Sequence, residues 1–176
     1  MQLLTTILRW VDHNLEKMVM IATFMVLAGI IFVSVIQRFF FGYQAAWSST
    51  VPIYLFLWAT WFGCSYNVRF RSHLRFSEVR KKLPYSGQYL TNVLDGILWL
   101  VFASVVLVFA IEQTHFARMN YAIVQGTDDV MQWWFYAGVP VAWALLCFRV
   151  LQNLWADTRT FMRGDAFLDN DQFMAE

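Results

Sequence analysis

Three histidines and two cysteines are the side chains in this 176-residue sequence best suited to redox or metal chemistry, and their spacing argues against it. Haem inside a four-helix membrane bundle needs two imidazoles at one depth on facing helices. His13 and His73 lie at one end of the apolar stretches, and His115 lies just past the opposite end, all outside the helical interior. Cys64 and Cys147 form no CxxC pair and have no companion at metal-ligand spacing, so both read as small buried hydrophobes. No catalytic, cofactor-binding or metal-binding residue is assigned, and the chain reads as a non-enzyme.

Ionisable groups at mid-membrane are the other chemistry to look for. Each costs at least about 2.5 kcal/mol there and is kept for ion or substrate pathways. Apolar stretches run over residues 18–36, 51–66, 90–111 and 131–151, and their interiors hold no Asp, Glu, Lys or Arg. Asp95 and Glu112 fall near opposite ends of the third stretch, and Arg38 and Arg149 near the ends of the first and fourth. They read as snorkelling end markers.

Each stretch is close to the roughly 20 residues needed to cross a bilayer core. Apolar residues make up 59% of the chain and charged residues 14%, well below a soluble domain's share. A soluble helical bundle is disfavoured because residues 18–36 carry no polar stripe. Net charge +1, with no basic run interleaved with aromatics, argues against nucleic acid as a partner. Threading four spans puts Arg9, Lys17, Arg69, Arg71, Arg75, Arg80, Lys81, Lys82, Arg149, Arg159 and Arg163 on one side, and only Arg38 and Arg118 on the other. The positive-inside rule then makes both termini cytoplasmic. Arg69, Arg71 and Arg75 are read as lipid anchors, and Trp10, Trp133 and Trp134 as interfacial aromatics.

Before the first span, Leu3, Leu4, Ile7, Leu8, Val11 and Leu15 recur at helical spacing, with Gln2, Thr5, Arg9, Asp12 and Glu16 between them. That pattern predicts an amphipathic interfacial helix, not a cleaved signal peptide. A short surface helix is expected between Phe70 and Pro84, around Leu74, Val79 and Leu83. The expected architecture is all-α: one membrane domain over residues 1–156 and a polar, acidic, partly disordered tail over 157–176. Ala59 with Gly63, and Gly138 with Ala142, are small-xxx-small pairs that permit close helix approach. Trp58 and Phe62 add bulk on an adjoining face, and Pro140 should kink the fourth span. The surplus of large aromatics favours a partner membrane protein, with Trp58, Ala59, Phe62, Gly63, Gly138 and Pro140 as its interface.

Several of these residues also carry a likeness. Gln37-Arg38-Phe39 closes the first span, followed by Trp47-Ser48, Phe56-Leu57-Trp58, Gly63 and His73-Leu74. Trp134-Phe135-Tyr136, Pro140 and Arg149-Val150-Leu151 follow in the same order. Over residues 15–154 the chain resembles the small membrane subunit of tripartite ATP-independent periplasmic (TRAP) transporters. Ser49 and Thr50 stand where that family usually has acidic residues. The resemblance implies sodium-driven import of organic acids or related solutes, with a soluble periplasmic protein capturing substrate. It also implies a large elevator-type membrane subunit that this chain would anchor in the bacterial inner membrane, with His73 at the contact between them. A self-sufficient small carrier or exporter is the alternative, and a four-span electron-transfer protein a more distant one.

Overall fold

The computed structural model describes residues 2–70 and 83–164, with side chains from residue 14 onward. Its long helices are α1 (Gln2–Phe41), α2 (Val51–Arg69), α3 (Tyr85–Met119) and α5 (Gly138–Arg163). A short 3-10 turn, Ala46–Ser49, precedes α2, and a single turn, α4 (Trp133–Tyr136), precedes α5. Among the described residues, three segments are long and apolar enough to cross a membrane: Asn14–Phe41, Tyr85–Met119 and Trp133–Arg163. The 19-residue α2 is less aliphatic, because Pro52, Tyr54, Trp58, Trp61, Ser65, Tyr66 and Asn67 dilute its apolar character.

The segment expected to lie separately at the interface is continuous with the first span in α1. Nothing in residues 2–28 breaks a helix: there is no proline and no glycine before Gly29. The hydroxyls of Thr23 and Ser34 donate to the carbonyls of Val19 and Ile30, both at 2.7 Å, so polar side chains are absorbed by the helix's own backbone. Gly42, at φ +68°, takes the left-handed conformation that ends the helix. Pro52 sits in the first turn of α2, where a missing N–H costs no intrahelical bond.

Burial is inverted relative to a soluble protein. Buried positions include Ala59, Ala103, Ala117, Ala142, Gly96, Gly138, Thr23 and Ser34. Leu90, Leu94, Leu98, Val101, Val105 and Val108 of α3 are exposed along one stripe, as are Phe24, Met25, Ile31 and Phe32 of α1. Small residues thus recur among the buried positions, beside larger ones such as Phe62, Trp143 and Leu146, while long aliphatic stripes face outward, as they do when the surrounding solvent is hydrocarbon.

Contacts divide the chain into two units: Met1–Gly63 with Phe109–Ala142, and Cys64–Val108 with Trp143–Glu176. In the first, α3 ends in a Schellman motif. Ala122 N–H bonds Ala117 O at 3.1 Å, and Tyr121 N–H bonds Arg118 O at 3.2 Å, which places Tyr121 at φ +49°. The chain then returns through a bridge between Ile123 and Met131. The loop tip at Gly126 (φ +83°) lies on the 3-10 turn so closely that a Cβ would stand 2.6 Å from Ala46 O and Trp47 N. Only glycine meets both demands.

The fourth apolar stretch breaks at Ala137, between α4 and α5. Pro140 explains the site: it has no N–H to give the carbonyl four residues back, at Tyr136. In the second unit, α5 continues to Arg163, so the tail expected to begin at residue 157 starts as helix.

Candidate functional site

Two assemblies of side chains stand out, one in each unit. In the first unit Tyr54 is buried and stacks on Phe135, with centroids 5.0 Å apart, and meets Tyr136 edge-on at 5.8 Å. The Gln132 amide donates to the hydroxyls of both Tyr54 and Tyr136. Four residues along α2 from Tyr54, the Trp58 indole donates to the carbonyl of Phe135 at 2.6 Å. Its ring covers Gly138, where any Cβ would fall inside the indole's van der Waals surface. The break at Ala137 therefore serves packing: it sets Phe135 O to receive an indole N–H, and Gly138 leaves room for the ring.

Phe62 and Ala59, on the same helix, are buried at 4% and 9% exposure. Gly63 faces Met20, and a β-carbon at residue 63 would stand 3.3 Å from the Met20 sulfur. Trp133 and Trp134 stack at 4.2 Å, with Arg118 5.6 Å from the Trp133 centroid and Trp134 largely exposed. That is an aromatic pair with a cation at one helix end, the composition of a membrane–water boundary.

In the second unit the polar groups lie on facing stripes of α3 and α5. Asn92, Asp95, Gly96 and Trp99 occupy one face of α3; Val150, Asn153, Leu154 and Asp157 occupy one face of α5. Asn92 and Asp157 are buried, at 4% and 6% exposure. Gly96 lets Leu154 in, since a Cβ there would stand 2.5 Å from Leu154 Cδ2. The Asn153 amide donates to Val68 O at 2.8 Å, tying α5 to the end of α2. Farther along, Thr158 donates to Leu154 O, so the Tyr89 hydroxyl is the donor in its 3.3 Å contact with Thr158. Tyr85 and Tyr89 both stack on Phe161, at 5.4 and 4.2 Å. Arg159 lies 3.7 Å above the exposed Trp155 ring.

The family model for the tripartite ATP-independent periplasmic transporters, DctQ component, matches residues 27–160. The chain belongs to the DctQ family. It is 23% identical over 168 residues to the isethionate TRAP transporter permease protein DctMQ of Oleidesulfovibrio alaskensis, covering 92% of this chain and 26% of that protein. It is 24% identical over 156 residues to the sialic acid TRAP transporter permease protein SiaT of Haemophilus influenzae, covering 89% of this chain and 24% of that protein. The chain thus spans about a quarter of the length of these relatives. It is a membrane component of a TRAP permease family.

Against that identity, the residues proposed from sequence are only partly placed. In this DctQ chain Trp58, Ala59, Phe62 and Gly138 pack within the first unit, and Pro140 is half-buried just past the helix break. His73, Arg71 and Arg75, and the short helix expected between Phe70 and Pro84, lie outside the described residues, as does the Trp10 side chain. Two polar readings are corrected. Arg149 is no snorkelling end marker: it is 2% exposed, shares the buried face of Leu146 and Val150, and donates to Gln152 Oε1 at 2.8 Å. Glu16, read as one of the polar positions between the apolar ones of an amphipathic interfacial helix, is fully buried. Asn92 and Asp157 were missed. Their signal was the run of polar and small residues at helical spacing on α3 and α5. Among the described residues no three His, Cys, Asp or Glu side chains gather as a metal site.

Proposed function

We propose that this chain is the small, non-catalytic scaffold subunit of a sodium-driven TRAP transporter that imports organic acids or related solutes. It crosses the inner membrane four times, with α2 as the span added to the three long apolar segments, and both termini in the cytoplasm. It anchors a large elevator-type subunit and helps seat a periplasmic binding protein. Most of each relative's length lies outside the match, which supports a large membrane subunit as this chain's partner.

The inverted packing carries this reading. The exposed aliphatic stripe of α3 and the exposed aromatic and aliphatic face of α1 give a non-transporting chain wide surfaces for lipid and partner. Buried Glu16, Arg149 and Asp157 favour a second reading, in which the chain itself conducts, because buried ionisable groups in membrane helices mark pathways. Proteoliposomes separate the two. With this chain alone, no sodium-dependent uptake of any tested organic acid is expected; uptake should need the large subunit and the binding protein. Flux through this chain alone would defeat the scaffold reading.

A further inference from the structure

The facing stripes of α3 and α5 line a cavity of about 20 Å³, bordered by Asn92, Asp95, Asn153 and Asp157 together with Val68 and Val150. Asn92 is 4% exposed, and its Oδ1 is buried with no hydrogen-bond partner among the described residues. Asp95, Asn153 and Asp157 are each engaged in other interactions, so Asn92 is the wall group that still needs one. A buried amide oxygen without a donor is destabilising, and native structures rarely tolerate it without a bound water or ion.

We propose that this cavity holds one ordered water molecule, bonded to Asn92 and to one of the carboxylates that share its walls. Size selects the occupant: a single water needs about 10–15 Å³ of such space, so one fits and a larger solute does not. Chemistry selects it as well. The surrounding oxygens accept, and a water donates twice, once to Asn92 Oδ1 and once to a carboxylate. If the amide is turned over, the same water accepts from Nδ2 instead, whereas a cation would serve only one orientation. The water joins α3 to α5 beside the tight Gly96–Leu154 contact, where direct side-chain bonding is absent from Asn92 Oδ1. This assignment stands independently of the transport role.

The test uses the full-length chain in lipid nanodiscs. Asn92→Leu keeps the side-chain branching and removes the polar end. With a bound water, the variant strips a partner from the remaining acceptors, and the melting temperature should fall by about 2–4 °C. In a dry cavity the variant removes an orphaned oxygen, and the melting temperature should rise, which overturns the proposal. Radiolytic hydroxyl labelling of the unmodified chain gives a second readout that does not depend on a variant. Val68 and Val150, 5% and 3% exposed, should be labelled promptly by radicals born inside the cavity, while Leu146, 1% exposed and outside its walls, should not. Equal protection of all three overturns the proposal. So does a melting temperature that rises with sodium but not choline and loses that response in Asn92→Leu, since a cation would then be the occupant.

Discussion

Trp58 and Gly138 are fitted to each other: the indole lies where a β-carbon at residue 138 would be, and its N–H is held 2.6 Å from Phe135 O. A ring anchored in this way cannot slide aside as a flexible side chain would. Gly138→Ala should therefore destabilise the chain by ~1–3 kcal/mol, the usual cost of overpacking, seen as a fall in melting temperature of several degrees. Trp58→Leu should also be destabilising by itself. The double variant should melt higher than the two separate losses predict, because the clash disappears with the ring. Strictly additive losses would mean that the two residues do not bear on one another.

The end of α3 offers a prediction of opposite sign. Tyr121 occupies the left-handed position of the Schellman motif at φ +49°, with its side chain 74% exposed. An L-residue there costs roughly 1–2 kcal/mol that glycine avoids. Tyr121→Gly should raise the melting temperature by about 2–4 °C, since little packing is lost. Gly126→Ala, five residues on, should lower it, because its methyl would meet the backbone of Ala46 and Trp47. Thermal melts of the two variants side by side check both signs.

Particular residues show how much of this was legible in the sequence. The long apolar runs that became α1, α3 and α5 could be read directly, because hydrocarbon demands unbroken aliphatic length and nothing competes with that signal. Pro140 revealed that the fourth stretch would be disturbed, but not that the break would fall at Ala137 and serve Trp58. That depends on which residue of α2 lies opposite. Asn92 and Arg149 were opaque for the same reason. A polar residue near a helix end looks like a snorkelling marker until the neighbouring helix is placed, and Asn92 lies on the face where Gly96 meets Leu154. Glu16 misled because helical periodicity reports a face, not what covers that face.

The proposed topology rests on the charge distribution. Reporter fusions after residue 164 and within residues 69–82 should report a cytoplasmic location, and fusions near Gly42 or Gly126 a periplasmic one. A periplasmic C-terminus would overturn the four-span arrangement, because α2 would then fail to cross.

Arg69, Arg71 and Arg75 are expected to hold the loop after α2 at the inner surface, each attracted to anionic lipid by ~1 kcal/mol. Replacing all three with glutamine should lower membrane yield or produce inverted molecules in the fusion assay. His73→Ala should leave insertion intact and weaken recovery of the large subunit in pull-downs. Full recovery would make His73 an ordinary solvated loop residue.

Whether the α2 face at Gly63 also serves a partner is open to a direct test. A methyl at residue 63 would stand 3.3 Å from the Met20 sulfur, and a thioether is an adaptable neighbour that can withdraw by a few tenths of an ångström. Gly63→Leu adds far more than a methyl, yet Met20 can still yield, so the isolated chain should lose less melting temperature than Gly138→Ala, whose neighbour is a tethered ring. If the large subunit packs on this face, the same variant should co-purify poorly with it, and uptake by the assembled transporter should fall in proportion. A large melting loss with normal co-purification would confine Gly63 to packing within the chain. No change in either measurement would put lipid against that face. Leu107→Ala on α3 serves as the control, since it removes bulk from a different helix and should leave recovery of the large subunit unchanged.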